Sequence, residues 1–298
     1  DAADIQQNYE ALNADPNQPL LNRPLAMTLP PGSTFKLVTA AAALESGDYT
    51  ADSELPGPKQ INLPGTDVEL GNWNSKSCGT GEVTTLQKAL EISCNTAFAW
   101  LGMELGADAI DEQARKFGFE SEFEVPMMAA VSKFPTDLNK PQTAMSAIGQ
   151  FDVRATALQM AMVAGGIAND GVVMKPFLVS QVLGTDLAVL QSTTPSAFGR
   201  AMSNGNAKIL QEMMIGVVRD GTASKARIAG LAVGGKTGTA ENAPGEPAHA
   251  WFVGFAPMGE SQIAIAVVLE NGGGETEISG NSLAAPIAAA VIRAVQEQ

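Results

Sequence analysis

Pro30-Pro31-Gly32-Ser33-Thr34-Phe35-Lys36-Leu37-Val38-Thr39-Ala40 joins a proline-rich arm to an apolar helix, with a serine at the joint. Upstream, Pro16, Pro19, Pro24, Pro30 and Pro31 favour an extended chain over residues 16–32. From Thr34 to Glu45, Phe35, Leu37, Val38, Ala40 to Ala43 and Leu44 are apolar nearly all round, and Gly47 supplies a stop. Such a helix is buried on most faces. Lys36 lies inside it, three residues after Ser33 and therefore on the same face. No other serine in the chain has a lysine at that spacing. A lysine enclosed by apolar helix loses ammonium stability through desolvation, so it can take a proton from a neighbouring hydroxyl near neutral pH. The competing reading makes Ser33 a helix cap and Lys36 a surface residue.

Two further patterns carry chemistry. Ser93-Cys94-Asn95 stands at the head of a helical run through Phe98, Trp100 and Leu101. Its hydroxyl can relay a proton, and its amide can hold a peptide group by donor and acceptor ends. Ser279-Gly280-Asn281 matches the same SxN pattern, and capping is the alternative for both. Lys236-Thr237-Gly238-Thr239 follows Gly234-Gly235 and reads as a strand edge whose lysine and hydroxyls can bind a carboxylate. Gly238 would let a substrate backbone lie close; the alternative is a turn with one exposed lysine. Residues 230–237 also satisfy the phosphate-loop pattern. That motif needs a helix starting at the lysine, whereas Gly238, Pro244, Gly245 and Pro247 follow, so nucleotide binding is not expected.

Composition narrows the field. The chain has 298 residues, 45% hydrophobic and 17% charged, enough for a large core. Its formal charge of -14, without a Lys/Arg cluster, argues against a nucleic-acid partner. No apolar run is long enough to span a bilayer. The first residue is Asp1, which suggests a processed or truncated product. His249 is the single histidine and no carboxylates are spaced to join it, so neither a metal nor another cofactor is expected. A Ser-His-Asp hydrolase could use only His249, which otherwise reads as a packing or cleft-rim residue. Cys78 and Cys94 are too far apart for a CxxC motif; a disulfide between them, if formed, would contribute about 3 kcal/mol.

Along the chain, 52–82 reads as loops and short strands, 84–117 as helix broken at Gly106, and Thr156 to Ile167 as an apolar helix. Residues 229–239, 248–257 and 262–270 read as strands, and Leu283 to Val295 as a closing helix. Both faces of the third strand are apolar, so helices should cover both. The pattern predicts a helical and a mixed subdomain sharing one cleft.

SxxK, SxN and KTG in this order are the signature set of penicillin-binding proteins and serine β-lactamases. Residues 31–36, Gly149-Gln150, residues 235–241 and residues 250–257 extend the resemblance, so that nearly the whole chain is similar to a class B penicillin-binding transpeptidase. The resemblance implies an α/β (α+β) fold, a mainly antiparallel sheet flanked by helices. A helical subdomain at roughly 84–170 would be inserted in a single domain over 1–298. It implies Ser33 as nucleophile on a D-Ala-D-Ala peptide, Lys36 as base, Ser93 as proton shuttle and Asn95 as a peptide-binding amide. Lys236, Thr237, Gly238 and Thr239 would hold the substrate, and the backbone N–H groups of Ser33 and Thr239 would form an oxyanion hole. The implied partners are peptidoglycan stem peptides and β-lactams. The implied setting is the extracytoplasmic face of a bacterial membrane, with the N-terminal domain and anchor outside these residues. A carboxypeptidase and a non-catalytic β-lactam sensor are the rivals; the Glu-x-x-x-Asn element of class A β-lactamases is absent after Pro126. Cys94 inside the SxN element resembles one branch of the family, in which Cys78 and Cys94 are bridged. Two departures stand out: Phe151 occupies a position where many relatives carry glycine, and residues 1–30 hardly supply the strands expected before the Ser33 arm.

Overall fold

The structure, a computed structural model, describes residues 2–123, 125, 127, 129–241, 245–259, 261–274 and 278–297. Its spine is an antiparallel sheet of three strands, β1 (Gly234–Ala240), β2 (His249–Met258) and β3 (Ser261–Leu269), in the order β3-β2-β1. The strand reading of 229–233 fails: pairing begins at Gly234, opposite Phe255, and residues 228–231 make only an isolated bridge. The central strand β2 is buried from His249 to Ala256. Its aromatic residues fit because β1 offers glycine opposite Trp251 and Phe255 and diagonal to Phe252; a Cβ on Gly234 would lie 2.4 Å from the Phe255 ring and one on Gly235 2.4 Å from the Phe252 ring. The described residues of β3 are mostly only half-buried, as suits an edge strand.

An exposed α1 (Ala2–Ala14) leads into the arm, where Arg23 pairs with Glu270 at 3.1 Å and Leu29 bridges Ala155. Then come α2 (Lys36–Ser46), α3 (Leu86–Glu91), α4 (Asn95–Leu105), α5 (Ala107–Lys116), α6 (Lys140–Ala147), α7 (Ala157–Ala168), α8 (Asn204–Arg219) and α9 (Ala285–Gln296). Helices α7 and α9 pack on β2 and β3, and α8 packs on β1. Four two-stranded ribbons complete the chain: 54–56 with 83–85, 60–62 with 69–71, 172–174 with 197–200, and 181–183 with 189–192.

The Ser33 helix starts differently from the sequence expectation. Gly32–Phe35 is a 3-10 turn, and the α-helix begins at Lys36. Three residues per turn eclipse side chains i and i+3, which keeps Ser33 and Lys36 on one face. Helix α2 is buried from Lys36 to Leu44 and ends at Gly47 in the left-handed region, φ +80°. Phe35 anchors its start, stacked on Phe134 at 5.6 Å and edge-on to Phe119 at 5.7 Å. The Ser33 turn is clamped by Gly149, whose carbonyl accepts from Gly32 N–H at 3.0 Å. Gly149 sits at φ +76°, and a Cβ there would fall 2.1 Å from the Gly32 carbonyl oxygen. The 84–117 run is interrupted at Ile92–Cys94 as well as at Gly106, and Ser93 takes φ +60° at that interruption.

Phe151 adopts φ +62° with its ring 41% exposed. The left-handed conformation costs a non-glycine residue about 1–2 kcal/mol, and an exposed ring returns little by packing. Phe151→Gly should therefore raise unfolding stability by about 1 kcal/mol in urea; a loss of that size would show that the ring is holding the loop.

Candidate active site

Lys36 has no exposed surface, and its Nζ lies 5.6 Å from the Phe98 ring centroid. It donates to Asn95 Oδ1 at 2.7 Å, to the Ser93 carbonyl at 2.9 Å and to Ser93 Oγ at 3.2 Å. Lys236, equally buried, donates to the same Ser93 Oγ at 2.8 Å and to the Thr237 carbonyl at 2.9 Å. Three segments separated by 57 and 143 residues thus meet at one hydroxyl oxygen. Burial, and secondarily the charge of Lys236, hold the Lys36 pKa well below the ordinary 10.5. Burial alone brings Lys236 down to about 7. A neutral Lys36 keeps its two shortest bonds as donor and offers a lone pair, so its longest contact, to Ser93 Oγ, can reverse direction.

Ser93 and Asn95 are fixed by a residue that sequence reasoning missed. Asn72 Oδ1 accepts from Asn95 N–H at 2.9 Å and Thr96 N–H at 3.1 Å, so it caps α4 from a distant loop. Its Nδ2 donates to the Lys76 carbonyl at 2.8 Å and the Pro58 carbonyl at 3.0 Å. Asn95 Nδ2 in turn donates to the Gly71 carbonyl at 3.2 Å. A disulfide joins Cys78 to Cys94, with Cα atoms 6.0 Å apart, and ties the loop to the residue between Ser93 and Asn95. Only the burial of an asparagine between two loops marks Asn72, and burial is not readable from one sequence.

Strand β1 brings Lys236-Thr237-Gly238-Thr239 against the turn that carries Ser33. A Cβ on Gly238 would lie 2.9 Å from the Pro31 carbonyl, and one on Gly32 would lie 3.2 Å from the Thr239 carbonyl. The close approach at Gly238 is thus to the chain's own Pro31 and Thr34. Thr237 is nearly buried and Thr239 exposed on the same face. Among the described residues Ser33 Oγ makes no hydrogen bond, and Ser33 is half-buried. His249 is buried; its Nδ1 accepts from Asn271 N–H at 3.0 Å, and no hydrogen bond joins it to Ser33. Ser279 caps the turn before α9 and Asn281 Oδ1 accepts from Lys225 N–H, so the second SxN copy is structural. The phosphate-loop decoy ends inside β1 and no helix starts there. Among the described residues no group of three or more His, Cys, Asp or Glu side chains could hold a metal ion. A hollow of about 450 Å³ beside Phe123 and Phe198 contains none of the site residues.

The family described as penicillin binding protein transpeptidase domain matches residues 3–293. The chain belongs to that family. A transpeptidase domain of this kind is also found in a peptidoglycan D,D-transpeptidase PbpA of Mycolicibacterium smegmatis, 41% identical over 290 residues. That match covers 96% of this chain and 59% of the relative. PbpA of Mycobacterium tuberculosis is 40% identical over 292 residues, with the same 59% coverage. Among solved structures, the ceftriaxone acyl-enzyme complex of M. tuberculosis penicillin-binding protein A has a TM-score of 0.92 at 39% identity. It is covered to 66% by 97% of this chain. The penicillin G acyl-enzyme complex of that protein has a TM-score of 0.90 at 38% identity. The chain therefore spans about three-fifths of the curated relatives it matches, and its fold is the penicillin-binding transpeptidase fold.

Replacing Asn72 by Ala strips the acceptor from two helix-start amides and the side-chain donor from the Lys76 carbonyl, while the Pro58 carbonyl keeps only its bond from Thr96 Oγ1. The variant should lose about 1–3 kcal/mol of unfolding stability. A midpoint unchanged in guanidinium chloride would show that Asn72 caps nothing of consequence.

Proposed function

We propose that this chain is the catalytic domain of a peptidoglycan D,D-transpeptidase that works through a Ser33 acyl-enzyme and is covalently inhibited by β-lactams. The observation that carries the reading is the shared Ser93 hydroxyl, to which Lys36 and Lys236 both donate from inside the protein. Ser33 Oγ adds to the carbonyl between two D-alanines while neutral Lys36 takes its proton. Ser93, now accepting from the Lys36 ammonium and from Lys236, gives its own proton to the leaving D-alanine amine and is reprotonated by Lys36, which returns to the neutral form. The C–N bond breaks and a Ser33 ester remains. The amine of a second stem peptide then attacks that ester, gives up its proton by the same relay in reverse, and the crosslink forms with Ser33 restored.

The backbone N–H groups of Ser33 and Thr239 serve as the oxyanion hole; losing one such donor costs about 3 kcal/mol of barrier. The approach of the Thr239 backbone to Gly32 supports that pairing. Lys236, Thr237 and Thr239 receive the terminal carboxylate, Asn95 the acyl-side peptide, and Gly238 keeps the strand against the nucleophile turn. The helical part, roughly 84–170, carries Ser93 and Asn95, and the sheet carries the Lys236 strand. The Cys78–Cys94 bridge supports a site of action outside the cytoplasm, where disulfides persist. Substrates are peptidoglycan stem peptides.

Fluorescent penicillin should label the protein, and Ser33→Ala should abolish labelling while leaving the thermal midpoint near that of the parent. Persistent labelling of Ser33→Ala would contradict the nucleophile. With a peptide thioester and an acceptor amine, repeated turnover with crosslinked product is expected. Release of the thiol with the free acid as product and no crosslink would assign a carboxypeptidase, and a single turnover a sensor.

A further inference from the structure

Gly221-Thr222-Ala223 belongs to none of the three motifs, yet it is wedged between the segment that carries Ser93 and the strand that carries Lys236. Thr222 N–H donates to the carbonyl of Glu91, two residues before Ser93, at 3.0 Å. A Cβ on Gly221 would fall 2.2 Å from that same carbonyl oxygen, so glycine is required for the approach. Ala223 N–H donates to the Val217 carbonyl on α8 at 3.1 Å. Three contacts on two elements, α3 and α8, fix where the Thr222 side chain stands. That side chain receives the hydrogen bond of a substrate-binding residue: Thr237 Oγ1 donates to Thr222 Oγ1 at 2.9 Å.

The count of protons then becomes informative. A threonine hydroxyl has one proton and two lone pairs. Thr237 spends its proton on Thr222, and Lys236 Nζ is engaged with Ser93 Oγ and the Thr237 carbonyl. Thr222 Oγ1, accepting from Thr237, donates to no other group among the described residues. Its proton is therefore directed away from Thr237 and is uncommitted, on a half-buried side chain beside β1. A carboxylate has about four acceptor sites and draws in hydroxyl donors on more than one side.

We propose that Thr222 is a specificity-determining residue for the carboxylate end of the acyl donor, its hydroxyl donating to that carboxylate beside Thr237 and Thr239. The inference rests on the transpeptidase reading and extends the binding site to a segment outside the motifs. Thr222 also sets the orientation of Thr237: with its oxygen in place as acceptor, the Thr237 hydroxyl keeps a lone pair on the side away from the strand. The carboxylate's arrival then allows Thr237 to turn its proton from Thr222 to the ligand, while Thr222 supplies its own.

The test compares penicillin G with its methyl ester, which has the same reactive ring and no charge. Second-order acylation rates are measured by intact-protein mass spectrometry for the parent, Thr222→Val and Thr222→Ser. A hydrogen bond to a charge corresponds to about ten- to hundredfold in rate. Thr222→Val should slow acylation by the acid at least about tenfold and change the ester rate by less than about threefold, whereas Thr222→Ser should restore the acid-to-ester ratio. Equal slowing of acid and ester would overturn the assignment, as would an unchanged acid rate. If Thr222→Val does not fold, Thr222→Ser against Thr222→Ala decides by the same ratio. No adduct on the parent protein with either compound would overturn the transpeptidase reading itself.

Discussion

Two lysine ammonium groups cannot both stay charged inside a protein without compensation, and here both are directed at one serine oxygen. Neither Lys36 nor Lys236 forms an ion pair among the described residues. Their partners are neutral oxygens: two carbonyls, one amide oxygen and the Ser93 hydroxyl. Burial of an unpaired charge is costly, and the molecule answers by letting protons go. The sign follows from linkage. A lysine whose folded pKa lies below its unfolded value contributes stability above the unfolded pKa, and that contribution is lost as pH falls through the folded one. For Lys236 the window runs from 10.5 down to about 7. The site therefore destabilises the fold at neutral pH in return for a base that is ready to accept a proton.

That arrangement survives only because glycines let backbones meet where side chains would collide. Gly149 reaches the Gly32 carbonyl, Gly238 reaches the Pro31 carbonyl, and Gly221 reaches the Glu91 carbonyl. Each contact joins two elements distant in sequence; the first two hold the turn that carries Ser33, and the third holds the segment that leads to Ser93. Phe35, packed against Phe119 and Phe134, holds the same turn from the core side. The half-buried Ser33 hydroxyl makes no hydrogen bond among the described residues, which suits the nucleophile role proposed for it.

Much of this was legible in the sequence. The lone Ser-x-x-Lys at the head of an apolar helix gave Ser33 and Lys36, and the Lys-Thr-Gly strand gave Lys236 to Thr239, because motif spacing and helical or strand period reflect local geometry. The phosphate-loop decoy was excluded by the same local rules, whereas the second SxN copy at Ser279 to Asn281 stayed open until the fold showed it as a cap. The missing parts were non-local. Asn72 acts across a loop that only the fold brings to α4, and Thr222 acts through a hydroxyl contact between segments fifteen residues apart. The interruption at Ser93 was hidden because periodicity continues on either side of a residue held at φ +60°. Spacing left the pairing of Cys78 with Cys94 open; the family resemblance implied it and the fold contains it. The strand was expected five residues too early because 229–233 is apolar enough to pair, while its bridge between Ile228 and Leu231 turns the chain instead.

The central claim is that Lys36 is a dry, weakly held acid. Nitrogen-15 NMR of the Lys36 Nζ across a pH titration tests it directly, with Lys36→Met used to assign the signal. The account predicts that Lys36 loses its proton well below the ordinary lysine value of 10.5, and that acylation by penicillin rises with pH along the same curve. A Lys36 that stays an ammonium until the pH reaches the range of exposed lysines, with acylation already complete below it, would contradict the mechanism.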